Sequence, residues 1–316
     1  MAATSLPTVL ASRMPFVRRT AIAAGVLILV LFMAARLADL YPWNSRIFDL
    51  WAYWSTRFDL DYSQARPGSS GAYLYSPAFA HLIAPLTALP WPVFAAAWTA
   101  MLVGVLFWLT GWRAFFIGVL APVAMSIAIG QTDLLMAAAV VLGFRWPAAW
   151  VLPIVTKVTP GIGLLWFAAR REWRQLGIAL AATLAVVAIS FGLDPKAWAS
   201  WTEMLLRFEF PTAADGVYLP VPVSVRLPIV AALIVWGART NRRWVVPVGV
   251  CFSLPTVWVN TPTILVGLLP LLSWGADTPA GRWVHGWPAG LPSLSIQRLR
   301  RRARWAGLVV RRELVR

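Results

Sequence analysis

The chain alternates long apolar runs with short polar breaks from about residue 20 to residue 274. A soluble domain contains roughly 25% charged residues. This chain contains 13% charged and 59% hydrophobic residues, and its mean hydropathy is +0.69. We therefore predict an all-α fold, a polytopic membrane helix bundle with about 8–11 membrane segments, several of them short or broken.

The first apolar runs differ in length. The run at 20–38 follows basic residues and is not followed by a small-residue cleavage site, so we interpret it as an uncleaved membrane helix. The run at 76–89 is interrupted by Pro85. Its helix would span roughly 21 Å, less than the ~30 Å hydrocarbon core, and we expect a half-inserted segment. Residues 92–110 predict a full span.

Three later stretches are bounded by arginines and contain polar residues at their centres. The stretches are 114–144, 146–169 and 244–274, with Gly130-Gln131-Thr132-Asp133, Thr156-Lys157-Val158-Thr159-Pro160 and Asn260-Thr261-Pro262-Thr263 at their centres. Because arginine marks cytoplasmic loops, each stretch must leave the cytoplasmic side and return to it. Irregular backbone is tolerated at membrane depth only where protein or water covers it. We expect three hairpins whose polar tips point toward the outer side, under the loop 39–76.

Charge asymmetry predicts the orientation. With the N-terminus in the cytoplasm, twenty basic residues fall inside and six outside, whereas eight acidic residues fall outside and three inside. We therefore predict a multi-pass cell-membrane protein with both termini in the cytoplasm. We interpret residues 1–274 as one transmembrane domain, 194–224 as an outer interfacial segment, and 275–316 as a basic cytoplasmic tail.

The net charge of +16 does not indicate nucleic-acid binding. The aromatic residues that would stack on bases lie in membrane-like segments, so the predicted partner surface is the lipid bilayer. Cys251 is the single cysteine, which excludes an internal disulfide. No phosphate-binding glycine loop, metal-ligand spacing or Ser-His-Asp pattern is evident, and we predict no metal and no cofactor.

The loop 39–76 concentrates acidic and aromatic residues. It contains four aspartates, Asp39, Asp49, Asp59 and Asp61. Asp49 lies one helical turn from Tyr53 on a predicted surface helix at 47–58. A partly buried carboxylate has a raised pKa and can accept the proton of a sugar hydroxyl, while aromatic faces stack on sugars. The alternative is a solvated aspartate paired with Arg46.

Lys157 is the second candidate for chemistry. It is one of two lysines and lies thirteen residues from Arg170, roughly 20 Å along a helix. An ionisable group at that depth suggests a function, because burying an unpaired charge is costly. Its expected partner is a substrate phosphate or, alternatively, Asp133, which would then hold two hairpins together.

Several motifs, in order, resemble glycosyltransferase family 87. They lie at 48–53 (FDLWAY), 75–79 (YSPAF), 84–90 (APLTALP), 130–135 (GQTDLL), 156–160 (TKVTP) and 170–174 (RREWR). The resemblance implies a C-type membrane glycosyltransferase architecture. It also implies inverting transfer of a sugar, usually mannose and sometimes a pentofuranose, from a polyprenyl-phosphate carrier to an extracytoplasmic glycan or glycolipid acceptor. It assigns the catalytic base to Asp49.

The residues and the resemblance together predict one site. We expect Asp49 to be catalytic, and the expected substrate-binding residues are Tyr53, Tyr75, Gln131, Asp133, Lys157 and Arg46. The polyprenyl-phosphate sugar donor would be a co-substrate. The alternative function is a lipid-carrier or solute transporter, or flippase, because broken helices with polar tips are also typical of transporters. The acidic and aromatic outer loop favours the enzyme.

Overall fold

The computed structural model describes residues 6–40, 49–60, 62–63, 65, 71–207, 219 and 221–285. All regular structure within these ranges is helical. The α-helices are α1 (Leu6–Leu37), α2 (Asp49–Ser55), α3 (Pro77–Thr87), α4 (Trp91–Thr110), α5 (Ala114–Ile117), α6 (Ala121–Ile129), α7 (Asp133–Gly143), α8 (Val151–Thr156), α9 (Leu165–Ala169), α10 (Trp173–Leu193), α11 (Pro195–Leu206), α12 (Val223–Arg239), α13 (Val245–Ser253) and α14 (Pro279–His285). Short 3-10 helices occur at Gly111–Arg113, Pro147–Trp150, Thr159–Leu164, Thr261–Leu271 and Ser273–Gly275. The predicted all-α fold is confirmed.

Within the described part of the chain, two helical stretches are long and apolar enough to cross a membrane. They are Trp91–Ile117, which includes α4, and α10. Helices α6 and α7 are bent by 104° relative to each other and would form a third span if counted together. Shorter apolar helices account for much of the remaining chain, as the hydropathy pattern predicts. These features fit a membrane protein, while the number of membrane segments stays a prediction.

The first helix is longer than predicted. It begins at Leu6, whereas the hydropathy pattern predicted a start near residue 20. The preceding segment contains Arg13, Arg18 and Arg19, and arginine is a good helix former. Hydropathy detects only the apolar part of a helix, so it missed the polar extension.

The helices break at the three predicted hairpin centres. Between α6 and α7, Gly130 adopts a left-handed conformation with φ of 80°. Lys157 is extended where α8 ends, shortly before the 3-10 helix at Thr159–Leu164. Asn260 precedes the 3-10 helix at Thr261–Leu271. The polar residues at the centres of the arginine-bounded stretches therefore located these breaks correctly.

Helix α11 contacts the loop that contains Tyr62 and Leu74. Tyr62 and Met204 are buried in one cluster, and Trp201 Nε1 donates a hydrogen bond to Leu74 O at 3.3 Å. Ser200 Oγ accepts a hydrogen bond from Tyr62 N at 3.2 Å. One side of α11, which belongs to the predicted interfacial segment, therefore packs on protein.

Candidate active site

A row of hydrogen bonds joins four of the predicted site residues. The Tyr53 hydroxyl donates to the Tyr75 hydroxyl at 3.1 Å, and the Tyr75 hydroxyl donates to Gln131 Oε1 at 3.2 Å. Gln131 Nε2 donates to Asp49 Oδ2. The Gln131 amide has one consistent orientation here, because its oxygen accepts and its nitrogen donates. The fold thus brings α2, the segment before α3, and the tip between α6 and α7 together.

Asp49 is the first residue of α2 and is half-buried. Helix α2 is not among the candidate membrane helices. Burial raises the pKa of Asp49 to about 6, because the carboxylate loses hydration. The charge of Lys157 and the hydrogen bond from Gln131 oppose this rise, whereas the charge of Asp133 adds to it. A carboxylate with a pKa near neutrality is suited to general-base chemistry.

Close packing at Gly130 positions the Gln131 side chain. A Cβ atom at residue 130 would lie 2.8 Å from Leu50 Cβ, and the positive φ also favours glycine. Trp98 Nε1 donates a hydrogen bond to Gly130 O at 2.9 Å. The α6–α7 tip is therefore held directly against the residue that follows Asp49.

Tyr53 lies in the aromatic core under the site. It is fully buried, and its ring centroid lies 5.2 Å from Trp98, 5.5 Å from Tyr75 and 5.8 Å from Phe79. Tyr75 is 8% exposed. The Tyr53 hydroxyl therefore acts on the site through Tyr75.

A second polar group lies next to the row. Asn260 Nδ2 donates a hydrogen bond to Asp133 Oδ2 at 2.7 Å. Lys157 Nζ lies 3.6 Å from Asp133 Oδ1 and 5.9 Å from the centroid of the Tyr75 ring. Asp133 is fully buried, whereas the Lys157 side chain is 19% exposed. The three hairpin tips therefore meet, and Tyr75 contacts both Gln131, which holds Asp49, and the amine of Lys157.

Sequence reasoning did not assign Asn260 to the site, and it did not predict the burial of Arg226. Asn260 was recognised only as part of a hairpin tip, because a single asparagine carries little signal. Arg226 is one of the six basic residues that the charge count placed in the outer loops, yet it is buried in the first part of α12. Its guanidinium donates to four carbonyl oxygens, those of Val221 (2.8 Å), Phe252 (2.7 Å), Leu254 (2.8 Å) and Pro255 (2.9 Å). The bonds to Phe252, Leu254 and Pro255 satisfy carbonyls at and just after the end of α13, where helical partners are missing.

Some predictions fall outside the described residues. Arg46 lies outside them, and so do Asp61 and residues 286–316 of the predicted tail. Among the residues that the structure describes, no group of three or more His, Cys, Asp or Glu is placed to hold a metal ion. A reaction without a metal or cofactor stays a prediction.

A model of glycosyltransferase family 87 matches residues 73–225. The match includes Tyr75, Gln131, Asp133 and Lys157, and it begins after Asp49. It supports membership of the chain in this family and, with the apolar helices, supports a membrane glycosyltransferase. No curated protein and no solved structure matches the chain.

Proposed function

Since the match supports membership of glycosyltransferase family 87, we propose that this protein transfers mannose from a polyprenyl-phosphate carrier to an extracytoplasmic glycan or glycolipid. The family supports a glycosyltransferase, and the sugar, carrier and acceptor are our proposal. The observation that carries the proposal is the Asp49 carboxylate. It is half-buried, has a pKa of about 6, and is hydrogen-bonded by Gln131.

The proposed reaction is a single displacement. Asp49 accepts the proton of an acceptor hydroxyl while the hydroxyl oxygen forms a bond to the anomeric carbon of the donor sugar. The bond between that carbon and the phosphate oxygen breaks, and polyprenyl phosphate leaves with the electron pair. Attack from the face opposite the phosphate inverts the anomeric centre.

Lys157 is proposed to stabilise the leaving phosphate. A phosphate leaving group needs cationic stabilisation more than a proton. The distance of 3.6 Å between Lys157 Nζ and Asp133 Oδ1 exceeds that of a good hydrogen bond, and the lysine side chain is 19% exposed. The amine can therefore donate to a phosphate oxygen while Asp133 keeps it in place. Arg46 is proposed as a further cation for the phosphate.

The remaining polar residues are proposed to orient the reacting groups. Gln131 holds the Asp49 carboxylate, and Tyr75 fixes the Gln131 amide. The Tyr75 hydroxyl gives its one proton to Gln131, so toward the sugar it is proposed to act as an acceptor. Tyr53 orients Tyr75. Side chains fixed by hydrogen bonds in this way increase the rate, because the reacting atoms start near the positions from which they react.

The test is a transfer assay with purified protein, polyprenyl-phosphate mannose and a mannoside acceptor. Asp49→Asn keeps the shape of the side chain but removes the base, and we expect a loss of at least about 100-fold in rate. Asp277→Asn, at an exposed carboxylate that pairs with Arg113, is the matched control. Wild-type rates in Asp49→Asn would exclude Asp49 as the base.

The transporter alternative gives a different result in the same experiment. A flippase would move the carrier lipid across the membrane of a proteoliposome without forming a glycosidic product. Carrier movement without product in the wild-type protein would therefore overturn the proposed enzyme.

A further inference from the structure

A separate cleft of about 330 Å³ opens beside the C-terminal end of α2. Its polar and aromatic lining includes Thr56, Arg57, Phe58, Asp59, His81 and Asp194. These residues come from the turn after α2, from α3, and from the junction of α10 with α11. None of them belongs to the hydrogen-bonded row or to the group around Lys157. Thr56 Oγ1 donates a hydrogen bond to Tyr53 O at 2.7 Å, so the cleft begins within one turn of chain after Tyr53.

The cleft offers both acceptors and donors of hydrogen bonds. Asp59 is exposed and makes no hydrogen bond or ion pair with the described part of the chain. One oxygen of Asp194 accepts a hydrogen bond from Ala197 N at 3.0 Å. His81 Nδ1 lies 2.8 Å from Ser190 Oγ, so this side chain is held in place through one ring nitrogen.

One wall of the cleft combines an exposed ring with a fixed cation. Phe58 is 70% exposed, although its ring centroid lies 5.2 Å from that of Trp54. The Arg57 guanidinium lies 5.1 Å from the Trp54 ring and 5.3 Å from the Phe58 ring. Arg57 Nη1 also donates a hydrogen bond to Leu89 O at 3.1 Å. A ring held in this way presents an apolar surface beside charged groups, a combination typical of small-molecule sites.

The charges decide which class of ligand fits. Among the described lining residues, the two carboxylates of Asp59 and Asp194 oppose one guanidinium, that of Arg57, so the lining does not favour a phosphate or another anion. Leu60, Ala80 and Ala84 add apolar surface to the lining, but a lipid chain would also have to cover the charged groups of Arg57, Asp59 and Asp194, which is unfavourable. A sugar hydroxyl both donates and accepts hydrogen bonds, and the apolar face of a sugar ring can stack on Phe58.

We propose that this cleft binds a neutral sugar unit of the acceptor, next to the unit whose hydroxyl reacts at Asp49. Thr56 lies seven residues after Asp49, about 10 Å along a helix. A short glycan can bridge that distance, with one ring in the cleft and its neighbour at the carboxylate. This assignment depends on the proposed function, because it gives the acceptor of that reaction its place.

Acceptors of two lengths test the assignment. The measured quantity is the ratio of the KM for an oligomannoside to the KM for methyl mannoside. We expect this ratio to rise about tenfold in Phe58→Ala and in Asp59→Asn. The KM for the lipid donor and kcat with the oligomannoside should stay near wild type. Matched controls are Phe116→Ala, an exposed phenylalanine remote from the cleft in sequence, and Asp277→Asn. An unchanged KM ratio in both cleft variants would overturn the subsite while leaving the proposed function standing.

A binding measurement separates failure of the subsite from failure of the enzyme proposal. Oligomannoside is titrated calorimetrically into Asp49→Asn, which should bind without turnover, and into the double variant Asp49→Asn/Phe58→Ala. We expect the double variant to bind about tenfold more weakly. Equal affinities would overturn the subsite, and so would binding that inorganic phosphate competes away but methyl mannoside does not. If the wild type transfers no sugar, the proposed function fails. The titration still shows whether the cleft binds a sugar unit.

Discussion

Lys157 Nζ lies 3.6 Å from Asp133 Oδ1, across two hairpin tips. The pair reconciles two interpretations of the lysine. Asp133 holds the amine in place, as the structural interpretation requires, but the separation is longer than a good hydrogen bond. Asn260 donates to the other oxygen of Asp133. The amine therefore has a fixed position and keeps donors for a substrate.

Lys157→Met tests this double role. We expect it to abolish transfer and to lower stability, because Asp133 becomes a buried carboxylate without its cation. Breaking a buried pair in this way costs about 3–5 kcal/mol. The double variant Lys157→Met/Asp133→Leu removes both charges and should recover thermal stability but not transfer. Recovery of transfer in the double variant would show that Lys157 only holds the hairpins together. Lys196→Met, at an exposed lysine of α11, is the matched control.

The raised pKa of Asp49 predicts the pH dependence of the reaction. Only the deprotonated carboxylate accepts a proton, so kcat/KM should be level above a pH of about 6 and fall tenfold per pH unit below it. If kcat/KM instead began to fall only near pH 4, the usual pKa of aspartate, this assignment would be contradicted.

Gln131→Leu supplies a second test of the same group. The Gln131 hydrogen bond lowers the pKa of Asp49. Its removal should therefore raise that pKa, so that kcat/KM begins to fall at a higher pH than in the wild type. Gln175→Leu, on a half-buried glutamine of α10, serves as the control and should leave that pH unchanged. If kcat/KM fell at the same pH in both variants, another group would limit the rate at low pH.

Gly130→Ala should damage the site through the backbone. Alanine at a φ of 80° costs roughly 1–2 kcal/mol, and its Cβ would force Leu50, the neighbour of Asp49, to move. We expect kcat/KM to fall about 10- to 100-fold because the base is displaced. Gly104→Ala, in the interior of α4 with nothing within 4 Å of the added Cβ, should leave activity close to wild type and stability unchanged or slightly raised, because alanine favours the helix. A Gly130→Ala variant with full activity would show that the tip tolerates displacement.

Arg226→Lys should destabilise the protein. Lysine cannot reproduce the fork of donors that reaches four carbonyl oxygens. Each carbonyl that loses its charged donor costs about 1.5–3 kcal/mol, so we expect a clear drop in Tm. Arg239→Lys, at the exposed end of the same helix, is the matched control. Equal Tm values for the two variants would indicate that water replaces the lost bonds.

Much of the fold was predictable because its signals are local. Apolar runs predicted the helices, and Gly130, Pro160 and Pro262 lie beside the points where they break. The concentration of carboxylate and aromatic groups also selected Asp49 and Tyr75 as candidates. Such signals depend on residues only a few positions apart, so they can be recognised from the sequence alone.

The sequence by itself determined the helical class, the positions of the breaks, and the types of residue available for chemistry. Only the tertiary structure decided which of these residues meet. Gln131 and Asp49 are 82 residues apart, and Asn260 and Asp133 are 127 residues apart. It also placed Tyr53 in the core and Arg226 on the carbonyls at the end of α13. Contacts at such separations depend on how whole hairpins pack, and no local periodicity encodes that packing.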